Sequence, residues 1–196
     1  NVWVNNKSQS LENIKLLPTF HILCQKYGIR PTYLVTWSVA SNPACISILE
    51  SILSHGDCEI GIHPHLWEIP PFVPKDAESI AWVGPDYTLD ILEAKLTNLI
   101  TLIKSKFGTP ASHRAGRWGM DIRQVGILLQ KGIKIDTSVT PGIDWSTTGA
   151  SNYTRAPFRP YQLGDENLTL PGNSILLEVP CTIMPGWRAM GLEKMP

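Results

Sequence analysis

Two histidines one residue apart stand in Ile60-Gly61-Ile62-His63-Pro64-His65-Leu66-Trp67, and their type and spacing suit them to hold a metal ion. Neutral imidazole is the commonest protein ligand for zinc and also suits nickel and cobalt. Both rings can reach one ion if the extended backbone turns there, and Pro64 between them restricts that turn. Alone, the pattern is short, and a hydrogen-bonded rim residue beside an exposed one is its commoner meaning. A second segment, Ser112-His113-Arg114-Ala115-Gly116-Arg117-Trp118-Gly119, places two guanidinium groups and an indole close together. A guanidinium fork can orient a carboxylate or stabilise an oxyanion, and an indole offers a flat apolar face on which a sugar ring stacks. Asp136, followed by Thr137-Ser138-Val139-Thr140-Pro141-Gly142, is either a reacting carboxylate or a turn cap.

The elements that must carry these residues alternate between helix and strand. Apolar residues Leu11, Ile14, Leu17 and Leu23 recur at helical spacing, and Gly28 closes that segment. Residues 31–37 predict a buried strand and residues 43–53 a helix, with Asn42 as N-cap and Pro43 at its first position. Residues 58–63 predict a second strand, and residues 89–106 a long helix with Leu92, Leu96, Leu99, Ile103 and Phe107 on one stripe. Short strands at 111–114, 133–136 and 175–180 follow, with a helix capped by Asp121 running to about Gln130. Such β-α alternation argues for a parallel sheet covered by helices, whose chemistry gathers beyond the carboxyl ends of its strands. His63, His65, Arg114 and Asp136 all fall at such ends.

The chain has 196 residues, suited to one domain, with 17 Lys plus Arg against 17 Asp plus Glu. This balance gives no electrostatic reason to expect nucleic acid or an anionic membrane surface as partner. No apolar run is long enough to span a membrane and no signal peptide is visible, so the compartment is not readable. Four scattered cysteines (Cys24, Cys45, Cys58, Cys181) read as free thiols. Seven tryptophans are a rich supply for a carbohydrate cleft. Trp37, Trp67, Trp82, Trp118, Trp145 and Trp187 mostly follow predicted strand ends, whereas His21 and His55 read as surface or capping residues.

Together these segments resemble the polysaccharide deacetylase family, the NodB homology domain, in its subgroup with an H-x-H-x-W second motif. The likeness runs in order through Tyr27-Gly28-Ile29-Arg30-Pro31, Glu59-Ile60-Gly61-Ile62-His63-Pro64-His65-Leu66-Trp67, His113-Arg114-Ala115-Gly116-Arg117-Trp118-Gly119 and Asp136-Thr137-Ser138-Val139-Thr140-Pro141-Gly142. The resemblance implies a distorted (β/α)7 barrel, expected here to be incomplete at both ends. It also implies a divalent metal, usually zinc, bound by an Asp and two His, whose water attacks an N-acetyl or O-acetyl carbonyl of a carbohydrate. Carried over by position, His63 and His65 are metal ligands, Arg114 and Asp136 are catalytic, and Trp67, Arg117, Trp118 and Trp145 line the substrate groove.

The chain departs from the family pattern in three places. Residues 1–10 hold no Asp or Glu where a first strand would carry the acidic ligand and base. No histidine follows His113, so the late acid is missing, and Trp67 stands where the second metal histidine usually falls. The expectation is a longer enzyme cut at both ends and inactive as this chain alone. The rival is a degenerate relative that binds carbohydrate without catalysis. A barrel of the amidohydrolase kind also uses H-x-H, but it needs further histidines on later strands, and only His113 is available.

Overall fold

The computed structural model describes residues 10–77, 83–164 and 166–183. Six strands form one sheet: β1 (Thr32–Val35), β2 (Glu59–Ile62), β3 (Ser112–His113), β4 (Ile135–Asp136), β5 (Tyr161–Gln162) and β6 (Leu177–Glu178), in the order β1-β2-β3-β4-β6-β5. All neighbours are parallel except β5 against β6. Among the described residues five α-helices accompany them: α1 (Leu17–Lys26), α2 (Trp37–Ala40), α3 (Pro43–Leu53), α4 (Leu89–Phe107) and α5 (Ile122–Gln130). Among the described residues the sheet does not close, and β1 and β5 are its two edges. No helix among them is long and apolar enough to cross a membrane.

Local chemistry explains the helix ends. Asn42 caps α3 by accepting from the amides of Ala44 and Cys45, with Pro43 supplying the first helical φ. Asp121 and Gln124 cap α5 reciprocally. The expected stripe on α4 is buried: Leu99, Ile103 and Phe107 join Val35, Ile62 and Leu128 in the main core, and Leu92 and Leu96 pack with Leu66, Tyr87 and Ile127 in a second cluster. A glycine is required at position 61, because a Cβ there would lie 2.7 Å from the Ser112 carbonyl oxygen of β3.

Two expectations need correction, and one strand had not been expected. The strand predicted over 31–37 stops at Val35, because the Thr36 side chain caps the short helix α2, which takes Trp37. β5 and its antiparallel pairing carried no readable signal in a segment of two residues. His21 is 2% exposed rather than on the surface, with Nδ1 3.0 Å from the Tyr33 hydroxyl and Nε2 3.0 Å from Asp57. All four cysteines are free thiols, and Cys24 and Cys45 are buried.

Candidate metal and carbohydrate site

The ladder continues one residue past each strand, and the site sits in that last row. The amide of His63 donates to Val35, that of Arg114 to Ile62, and that of Thr137 to His113. His63 Nδ1 lies 2.7 Å from the Arg114 carbonyl oxygen. A carbonyl only accepts, so Nδ1 carries the proton, and the lone pair of the neutral ring sits on Nε2. Burial, with the nearby His65 second, pushes the His63 pKa down to about 3. The ring is therefore neutral at physiological pH, the form a metal requires.

His65 is arranged in the same way by a different partner. Its ring meets that of His63 edge-on at 4.7 Å, and its Nδ1 lies 3.2 Å from Glu68 Oε1. The other Glu68 oxygen accepts from the Ser38 hydroxyl at 2.6 Å. Burial opposes ionisation of Glu68, yet the hydrogen bonds from His65 and Ser38 outweigh it and hold the carboxyl below its usual range. Trp67 stacks on His65 at 4.6 Å and 15°, so this indole braces the second histidine. Metal-binding histidines typically donate their remaining N–H to a carbonyl or carboxylate, as His63 and His65 do here. The donor set thus fits two positions of a metal centre. Among the described residues no group of three His, Cys, Asp or Glu side chains completes it.

The arginine segment is bound directly to the histidine segment. Gly116 donates its amide to the Pro64 carbonyl, and a Cβ at position 116 would stand 2.6 Å from that oxygen. Arg114 is aimed by Thr137, whose carbonyl accepts from Nε at 3.1 Å and whose hydroxyl accepts from Nη2 at 3.3 Å. Its guanidinium carbon lies 5.3 Å from the Trp118 ring centre. Trp118 in turn stacks on Trp145, with ring centres 6.4 Å apart and planes 16° apart. The Trp145 indole N–H donates to Thr140 Oγ1. Arg117 stands between Gly116 and Trp118 in the same turn, and burial lowers its pKa. Trp82 and Trp187 lie outside the described residues.

Asp136 sits one row lower than expected. It is register partner of His113 on one side and of Glu178 on the other, and all three are wholly buried. Successive strand residues face opposite sides of a sheet, so this row and the row of Arg114 and Thr137 point apart. Asp136 Oδ1 accepts from His113 Nδ1 at 2.6 Å and from the Ser138 hydroxyl at 2.7 Å, and Ser138 Oγ accepts from the Ala115 amide. Asp136 therefore grips the start of the arginine turn from beneath. Hydrogen bonds, above all from His113, outweigh burial and keep its carboxyl low.

Sequence reasoning missed three contributors. Glu68 follows His65 by three residues, which a single 3₁₀ turn over Leu66–Glu68 makes adjacent. Lys95 was legible as a charge on the otherwise apolar stripe of α4. It is fully buried and donates to the carbonyls of Leu66 and Ile69 and to Asp76. Tyr153 gave no signal, standing outside every predicted element, yet its hydroxyl donates to the Trp118 carbonyl.

No family model matches the sequence, and no curated protein matches it. Among solved structures, one assigned as a polysaccharide deacetylase from Mycobacterium smegmatis superposes with a TM-score of 0.57 at 17% identity, over 84% of this chain and 45% of that one. IcaB from Ammonifex degensii superposes with a TM-score of 0.52 at 10% identity, over 90% of this chain and 66% of that one. The chain thus has the α/β fold of the polysaccharide deacetylases, as its motifs led us to expect. It spans less than half of the first structure and about two thirds of the second.

Proposed function

We propose that this chain carries two metal ligands and the substrate-lining wall of a polysaccharide deacetylase, which removes acetyl groups from N- or O-acetylated carbohydrate. The observation that carries the reading is the pair His63 and His65, each pinned through Nδ1 to its own acceptor beside an arginine and a two-indole stack. In this reading His63 and His65 hold a divalent ion, zinc in the first instance. Such an ion supplies Lewis-acid polarisation of a carbonyl and an acidified water. Arg114, fixed by Thr137, orients a carboxylate or the acyl oxygen, while Trp118 and Trp145 give the sugar an apolar wall. Asp136 acts through Ser138 and Ala115 as a positioning residue, because its burial keeps it from substrate.

The test is zinc stoichiometry by elemental analysis together with acetate release from acetylated chito-oligosaccharides. Zinc is expected to bind the chain and to be lost in His63→Ala and His65→Ala, with any acetate release lost alongside. One second reading is a carbohydrate-binding relative without catalysis, which would keep the indole stack of Trp118 and Trp145. Glycan binding with no stoichiometric zinc would replace the first reading with that one. Glu68→Gln is a graded test of the same site, since it weakens the acceptor that orients His65. Zinc affinity should fall about 10–100-fold in a chelator competition. An unchanged affinity would remove Glu68 from the proposed centre.

A further inference from the structure

Arg117 and Trp118 are consecutive, neither is glycine, and both adopt left-handed backbone, with φ of 55° and 59°. L-residues avoid this region for steric reasons, and two in succession persist only where the surroundings over-determine them. The turn's own amides contribute, Trp118 donating to Ala115 and Gly119 to Gly116. Further support comes from one loop across the site. Tyr153 is fully buried, and its hydroxyl donates to the Trp118 carbonyl at 2.8 Å. The Ser151 hydroxyl holds the Met120 carbonyl two residues further on. Backbone hydrogen bonds tie that loop across itself, the amide of Gly142 donating to Tyr153 and that of Tyr153 to Ile143, and Asn152 binds Asp144. The same loop carries Trp145, which stacks on Trp118.

We infer that Tyr153 is a positioning residue whose buried hydroxyl holds the left-handed Arg117–Trp118 turn, so that Trp118 keeps its stack on Trp145 and the pair forms an indole platform for a sugar chain. Packing alone does not need the hydroxyl, since phenylalanine fills the same volume. Without it, the Trp118 carbonyl loses its buried donor and the turn is free to relax toward ordinary backbone. The sugar-platform part of this inference rests on the carbohydrate reading above.

Two readouts test it on the whole chain. Tyr153→Phe should shift the Arg117 and Trp118 amide resonances and the stacked indole signals of Trp118 and Trp145. It should also weaken binding of acetylated chito-oligosaccharide about tenfold by calorimetry. Asn152→Ala, which removes the hydrogen bond to Asp144 from the same loop without touching the Tyr153 hydroxyl or Trp118, should leave those signals in place. A merely structural role predicts otherwise: a lower melting temperature in Tyr153→Phe with unchanged resonances and affinity, which would overturn the proposal. Trp145→Ala covers the case in which Tyr153→Phe does not fold. The Trp118 indole should then move while the Arg117 and Trp118 amides stay, because Tyr153 still holds the turn, and movement of those amides would also overturn it. Failure of the wild-type chain to bind glycan would sink the carbohydrate reading, while the resonances still judge Tyr153.

Discussion

Lys95→Met should destabilise the protein by about 3–5 kcal/mol, the range for removing one partner of a buried ion pair. Lys95 is a charge without exposed surface, 2.8 Å from Asp76. Its Nζ also donates to Ile69 at 2.7 Å and to Leu66 at 3.0 Å. Methionine preserves the volume of the stem but leaves two buried carbonyls short of a donor and Asp76 without its cation. Asp76 keeps the Val73 amide and the Tyr87 hydroxyl, which do not neutralise it. A domain of this size has a total stability of only about 5–15 kcal/mol, so the variant should melt far earlier or fail to fold. Adding Asp76→Asn should recover part of the loss, because no uncompensated charge then remains. Urea unfolding of the single and double variants measures both effects, and a single-variant loss below about 1 kcal/mol would contradict this account. The result bears on function, because Leu66 and Ile69 flank the turn that presents Trp67 and Glu68 against His65.

Glu178→Gln should stabilise the protein above neutral pH, and the gain should grow with pH. Glu178 is fully buried beside Asp136. One of its oxygens accepts from the Val139 amide, and its carboxyl is also in hydrogen-bonding contact with that of Asp136. Two carboxylates in a dry site do not both ionise, so Glu178 keeps its proton and can donate to Asp136. Burial first, and then the Asp136 charge, push its pKa up to about 11. The unfolded chain releases this proton near the ordinary glutamate value of about 4.3. The stability it contributes is therefore complete below that pH and falls as pH rises toward about 11. The decline is roughly 1 kcal/mol per pH unit. Glutamine donates one N–H to Asp136 and accepts from Val139 with no proton to lose. Denaturation of wild type and variant at about pH 5, 7 and 9 should show curves that separate as pH rises. Parallel curves would mean that Glu178 is ionised in the folded state.

Much of the architecture was legible in the sequence, because it rests on local signals. The Asn42–Pro43 and Asp121–Gln124 caps, the apolar stripe of α4 and the left-handed Gly108 that ends it each act within a few residues. Strand lengths were overestimated, because an apolar run does not say where pairing stops. Thr36 capping α2 ended β1 two residues early. His63, His65, Arg114, Trp118 and Trp145 were likewise legible as one group, and the structure joins them through Gly116, Thr137 and the indole stack.

The histidine pair, the arginine turn and the aromatic supply were thus fixed by residue type and spacing, since each lies within one short segment. What those residues face was decided by tertiary structure. The two-residue period of a strand put Asp136 and Arg114 on opposite sides of the same sheet, so one became a buried anchor while the other stayed in the site's row. Lys95, Tyr153 and Glu178 gained their roles from neighbours 26 to 42 residues away in the chain: Lys95 from Ile69, Tyr153 from Trp118, Glu178 from Asp136. Desolvation at those contacts sets the strength of each interaction, and a linear sequence does not carry it.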